Sequence, residues 1–184
     1  YLTLLLLVAS LVACDVSNTL ETEANSELDE EFAQSRTGVN SLLNSAYGHV
    51  HLPFFDGGVG HYFLPPLSSG EMWSRFGSIE TWFQDMMLLQ YDSEHRYING
   101  IHDQYFLAIR NANFVLRSLE SQDFEDDFER LKRAEAQFIR GLAYSELYKL
   151  FGPLPIHRNP DDINVPRASE EEMLGSIKEY SQMI

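Results

Sequence analysis

Trp73 and Trp82 are the two tryptophans of the chain, and they fall with Tyr62, Asp56 and Glu71 inside one ring-rich stretch, residues 51 to 98. Phe54, Phe55, Phe76, Arg75 and Gln84 belong to the same stretch. One chemistry open to such a set is sugar capture. Flat apolar faces lie against the C–H groups of a pyranose ring, while carboxylate, amide and guanidinium groups meet its hydroxyls. That is capture without bond cleavage. For any single ring the competing role is core packing, because large rings dominate cores. For the set, an exposed platform is favoured by Pro53, Gly57, Gly58, Gly60, Pro65, Pro66, Gly70 and Gly77, which interrupt any long helix around them. Trp73 is the first choice as a ligand-binding residue and Trp82 the second, with Tyr62, Asp56 and Glu71 beside them.

Bond-making chemistry finds less to work with. Gly57-Gly58-Val59-Gly60 lacks the strand before and helix after that a phosphate-cradling loop needs. His49, His51 and His61 are a weak metal set, because a His-x-His in a loop is unspecific and no second cysteine exists. Asp161, Asp162 and Asn164 have oxygen ligands for calcium but not the spacing of an EF-hand loop. No Ser-His-Asp arrangement stands out. The chain is expected to be non-enzymatic, with no metal and no cofactor.

Cys14 is the single cysteine and rules out an intrachain disulfide. It follows a nearly unbroken apolar run, residues 1 to 13, which as a helix reaches only about 20 Å against a hydrocarbon core of roughly 30 Å. That length fits the apolar core of a signal peptide. Leu11-Val12-Ala13-Cys14 resembles a bacterial lipobox, with Cys14 as the lipidation site. The competing role, a core cysteine, has no support from the polar residues that follow. Residues 14 to 28 read as an acidic tether, and residues 29 to 184 as one helical domain. The chain is expected to be incomplete at both ends: it opens without a Met or a basic segment and stops inside an apolar-periodic run.

The net charge is −15, from 28 acidic and 13 basic residues. Binding to phosphate backbones needs clustered Lys and Arg, and no such cluster exists, so nucleic acid is disfavoured as a partner.

The elements that would hold the ring-rich stretch are helices. Val39, Leu42, Leu43, Ala46, Tyr47 and Val50 mark one face of a helix that Thr37 would cap. A second helix should start near Asn99 or Gly100, with Ile101, Tyr105, Ala108, Ile109, Ala112, Val115, Leu116 and Leu119 at helical spacing. A third spans about Asp126 to Phe151, with Phe128, Leu131, Phe138, Leu142 and Tyr148 among its apolar positions. Its small residues Ala134, Gly141, Ala143 and Ser145 would admit a close neighbour. Gly152-Pro153 ends it, and Ser169-Glu170-Glu171-Glu172 is a capping box that opens a fourth. Residues 51 to 98 should form short helices and irregular loops.

The third helix also carries a family likeness. Ala134-Glu135-Ala136-Gln137-Phe138-Ile139-Arg140-Gly141-Leu142-Ala143-Tyr144, followed by Leu147-Tyr148-Lys149-Leu150-Phe151-Gly152-Pro153-Leu154-Pro155-Ile156, resembles the signature helix of the SusD/RagB family. Gly141 stands where Ala is usual, and Pro153-Leu154 where a residue and Val are commoner. Asn111-Ala112-Asn113 with Tyr105, Ile109 and Leu116 is similar to the family's preceding helix, without its frequent Trp. Leu43-Asn44-Ser45-Ala46-Tyr47, Arg167-Ala168-Ser169 and the lipobox at Cys14 fit in order.

The resemblance implies a mostly α fold of TPR-like stacked helical hairpins with an irregular aromatic-rich insertion. It also implies a non-catalytic, lipid-anchored, surface-exposed outer-membrane lipoprotein. Such a protein binds glycan and delivers it to a TonB-dependent, SusC-like transporter. A lipid-anchored helical scaffold that binds peptide or protein is the alternative.

Overall fold

The computed structural model describes residues 30–55, 63–73 and 81–182. Cys14, the apolar run and the acidic tether lie outside the described residues, as do Asp56, Tyr62 and Gly57-Gly58-Val59-Gly60. Seven helices carry the described chain: α1 (Glu30–Ala33), α2 (Arg36–Phe55), α3 (Leu64–Ser69), α4 (Thr81–Met87), α5 (Arg96–Ser121), α6 (Asp126–Phe151) and α7 (Glu170–Gln182). Among the described residues there is no strand, only an isolated antiparallel bridge between Pro155 and Arg167. The fold is mostly α, built of stacked, TPR-like helical hairpins.

The frame is α2, α5, α6 and α7, packed in series with α5 between α2 and α6. The turn between Ser121 and Asp126 returns the chain as an antiparallel hairpin. Every apolar position expected on α5 is buried, from Ile101 to Leu119. Its stripe repeats at helical spacing on both flanking contacts, so α2 and α6 each meet apolar surface. Removing one such side chain, Ile109→Ala for instance, leaves a cavity that neighbours fill only partly, at about 2–5 kcal/mol.

Local signals set several helix ends. The cap of α2 is Ser35 rather than Thr37: its Oγ accepts the Gly38 N–H at 3.0 Å and donates to the Phe32 carbonyl at 2.7 Å. The hydroxyl serves both ends of the α1–α2 turn, which Thr37, already inside the helix, has no geometry to do. Pro53 does not stop α2. It sits buried in the last turn, where only one ladder bond is lost, and the helix runs on to Phe55. Likewise α5 begins at Arg96, a turn before the expected start, because His95 and Tyr97 join its first turn to the rings of α4. Gly152 ends α6 with φ +69°, a region that suits glycine, and its N–H reaches the Tyr148 carbonyl at 2.9 Å. The capping box forms as drawn from the sequence. Glu172 N–H donates to Ser169 Oγ at 3.2 Å and Ser169 N–H to Glu172 Oε2 at 2.7 Å.

Gly38 and Gly141 mark close approaches. A Cβ at Gly38 would stand 1.8 Å from the Phe32 carbonyl oxygen, so α1 folds back onto α2 only over a glycine. A Cβ at Gly141 would meet the Tyr180 Cβ at 3.2 Å, which brings α7 close to α6. The buried face of α6 nevertheless differs from its expected apolar positions. Leu131 and Phe138 are 55% and 42% exposed, while Gln137 and Arg140 are buried. The small residues Ala136, Gly141 and Ala143 turn toward the frame, and with them goes Arg140, whose guanidinium lies 4.2 Å over the Tyr180 ring and donates to its hydroxyl.

Candidate functional site

The two short helices of the ring-rich region are anchored by a few side chains each. In α3, Pro65 and Pro66 occupy the first turn, where a missing N–H costs nothing, and Leu64 and Leu67 are buried. Gly70 caps it at φ +81°, and Met72 N–H returns to the Pro66 carbonyl at 2.8 Å. The chain then leaves the helix and delivers Trp73 to the surface, 69% exposed. Glu71, two residues earlier, is exposed as well. Six residues with two buried leucines cannot also bury an indole placed past the cap. Its position is therefore a consequence of the turn.

In α4, Met86 is fully buried and Phe83 is held between two rings. Phe63 meets it edge-on with centroids 5.1 Å apart, and Tyr97 of α5 stacks on it at 5.2 Å and 22°. Trp82, beside Phe83, points elsewhere and is 36% exposed. Its ring meets His95 edge-on at 5.3 Å, and its carbonyl lies 3.2 Å from His95 Nε2. A carbonyl only accepts, so Nε2 carries the proton. His95 Nδ1 is then a buried acceptor without a partner. Tyr91, 40% exposed, tilts against the same imidazole at 5.9 Å.

The structure thus brings Trp82 and Tyr91 to one buried histidine and leaves Trp73 and Glu71 on the exit of α3. Tyr91 was missed in the sequence. Its signal was weak, a single ring in a polar turn four residues before His95. The side chains of Phe54 and Phe55, and Arg75 and Phe76 entirely, fall outside the described residues. Gln84 is half-buried on α4.

Three of the side chains weighed for metal binding, His49, Asp161 and Asp162, have structural partners, and His61 lies outside the described residues. His49 Nδ1 lies 2.7 Å from Gln104 Oε1, bridging α2 and α5. Asp161 pairs with Arg117 at 2.5 Å. Asp162 Oδ2 accepts the N–H groups of Arg158 at 2.6 Å and Asn159 at 2.9 Å, which holds its carboxyl below the usual carboxylate range. Among the described residues no three His, Cys, Asp or Glu side chains gather as a metal would need. No described helix is long and apolar enough to cross a membrane.

A SusD-like family model, described as starch-binding and associating with the outer membrane, matches residues 18–182. The chain belongs to the SusD-like family. Two solved structures share the fold. A SusD-like protein from Bacteroides fragilis NCTC 9343 superposes with a TM-score of 0.64 at 17% identity, over 85% of this chain and 30% of its own. A SusD superfamily protein from Parabacteroides distasonis ATCC 8503 gives 0.62 at 21% identity, over 78% and 33%. The SusD-like chain described here spans about a third of the length of these relatives. No curated protein matches it. The family is one of binding proteins, and its description places it with the outer membrane.

Proposed function

We propose that this SusD-like chain is part of a non-catalytic surface glycan-capture protein that works with a TonB-dependent transporter. Its anchor is a lipid on Cys14, after a signal peptide over residues 1 to 13, and residues 14 to 28 are the tether. The observation that carries the reading is Trp73. An indole 69% exposed past the cap of α3, whose two leucines are buried, presents apolar surface at which a ligand face could pack. Trp82 and Tyr91 offer two more exposed rings, and Glu71 a carboxylate. The family's description favours an α-glucan among possible glycans.

Retardation of the chain in gels containing starch or other polysaccharides tests capture. Trp73→Ala should reduce retardation severalfold, and Trp73→Ala with Trp82→Ala should abolish it. Retardation equal to that of the parent removes both indoles from the site. Fatty-acid labelling in a bacterial host tests the anchor: label should enter the parent chain and not Cys14→Ala. Label in both chains would assign the anchor elsewhere.

A further inference from the structure

A cleft of about 420 Å³ lies between α5 and the loop that follows α6, a region other than the one that carries Trp73 and Trp82. One wall is a stripe of α5 at helical spacing: Asp103, Phe106, Arg110 and Asn113. His157 and Asn159 of the loop contribute to the other.

Asn113 is the unusual member. It is 1% exposed, and its Nδ2 donates to the His157 carbonyl at 3.0 Å. Because a carbonyl only accepts, that bond settles which end of the amide is nitrogen. Oδ1 is then a buried acceptor with no partner. A native structure rarely leaves such an atom unmet unless something else supplies the donor. Arg110 stands one helical step away at the rim, its guanidinium 5.4 Å from the Phe114 ring. No ion pair engages it among the described residues, whereas Arg117, two turns on, is paired with Asp161. At the other end of the stripe Asp103 presents an exposed carboxylate, of which Oδ1 lies 3.3 Å from His102 Nδ1 and Oδ2 is left to solvent. Between them Phe106 packs against three rings, His102 at 4.7 Å, His157 at 5.4 Å and Tyr144 at 6.4 Å.

The order along the helix is acceptor, ring, donor, buried acceptor. A ligand matching it has an apolar face flanked by groups that both give and take hydrogen bonds. The volume lies in the lower part of the roughly 300–1,000 Å³ range of small-molecule sites, enough for a sugar ring. We infer that this cleft binds a single sugar ring, with one hydroxyl donating to Asn113 Oδ1, others meeting Arg110 and Asp103, and C–H groups against Phe106. The site shares a ligand class with the proposed function but stands independently of the tryptophans.

An amide-resolved NMR titration of the chain with glucose, galactose and glucuronate, with acetate as control, tests it. The expected result is saturable shifts of the Asn113 side-chain amide and the His157 backbone amide with at least one sugar. Arg110→Ala, at an exposed position, should weaken that binding about tenfold, as expected for a hydrogen bond from a charged group. Trp73→Ala with Trp82→Ala should leave it intact, which separates failure here from failure of the surface platform. The inference is overturned by silence at both amides up to saturating sugar, by equal affinity in Arg110→Ala, or by acetate reproducing the glucuronate shifts. Asn113 itself is left in place, because it pins the loop.

Discussion

Aromatic rings meet opposite fates in the two regions of this protein. In the frame, Tyr97, Tyr105, Tyr144 and Tyr180 are at most 1% exposed; Trp73, past the cap of α3, is 69% exposed and Trp82, on α4, 36%. Ring chemistry is similar in both, so type alone decides nothing. Element length and helix face together do, since Phe138 on the 26-residue α6 is also 42% exposed. Helices of 26 residues, α5 and α6, repeat an apolar stripe over many turns and can bury each ring against two neighbours. Helices of six and seven residues, α3 and α4, secure one or two anchors and leave the rest at the surface. Burial also changes the phenols. Desolvation pushes the Tyr105 and Tyr144 hydroxyls well above the ordinary tyrosine range, and for Tyr144 the N–H of His157 opposes part of that shift. The frame buries most of its large rings, and the region of the short helices leaves both indoles partly exposed.

Stability measurements can break that division. The largest expected effect is in the frame: Ile109→Ala should cost about 2–5 kcal/mol by denaturant unfolding. A smaller value than that of Trp73→Ala would reverse the comparison. Gly38→Ala comes next, at about 1–3 kcal/mol, because its Cβ collides with backbone and not with a yielding side chain. Thermal unfolding reads it, and an unshifted midpoint would mean that α1 does not pack as described.

Ser169→Ala removes a helix cap and should cost about 1 kcal/mol. It has a pH signature. The N–H and hydroxyl of Ser169 hold the Glu172 carboxyl below its ordinary range. A group depressed in the folded state contributes stability above its unfolded pKa and loses it as pH falls through the folded one. The parent should therefore lose stability below about pH 4–5, and Ser169→Ala should lose less over the same window. Parallel acid titrations of the two chains would contradict this. Smallest of all, Trp73→Ala should shift stability within about 0.5 kcal/mol while reducing glycan retardation. A large loss of stability would make that indole a core residue and remove the platform.

Much of the frame was legible from residue order. The α5 stripe reads directly because burial on both sides favours apolar residues there, with Asn113 and Ser118 the buried polar exceptions. The bounds of α6 follow from local chemistry, Gly152 at positive φ and a proline after it. The Ser169–Glu172 box is a contact over three residues and needs no tertiary partner. The exposed state of Trp73 was expected as part of a set, from the glycines and prolines around it. Tyr91 was not, because what distinguishes it is the His95 ring brought in by α5.

What the sequence by itself determined are the features whose causes lie within a turn or two of helix: stripes, caps and stops. Tertiary structure alone decided which side of α6 faces inward. Apolar groups occur around much of that helix, so periodicity could not choose among its faces. Close approach of α7 over Gly141 chose, turning Arg140 inward beneath the Tyr180 ring and leaving Leu131 and Phe138 outside. The physical reason is that helix contact rewards fit along a whole face, and a seam of small residues with one ring-covered arginine fits better here than the larger side chains.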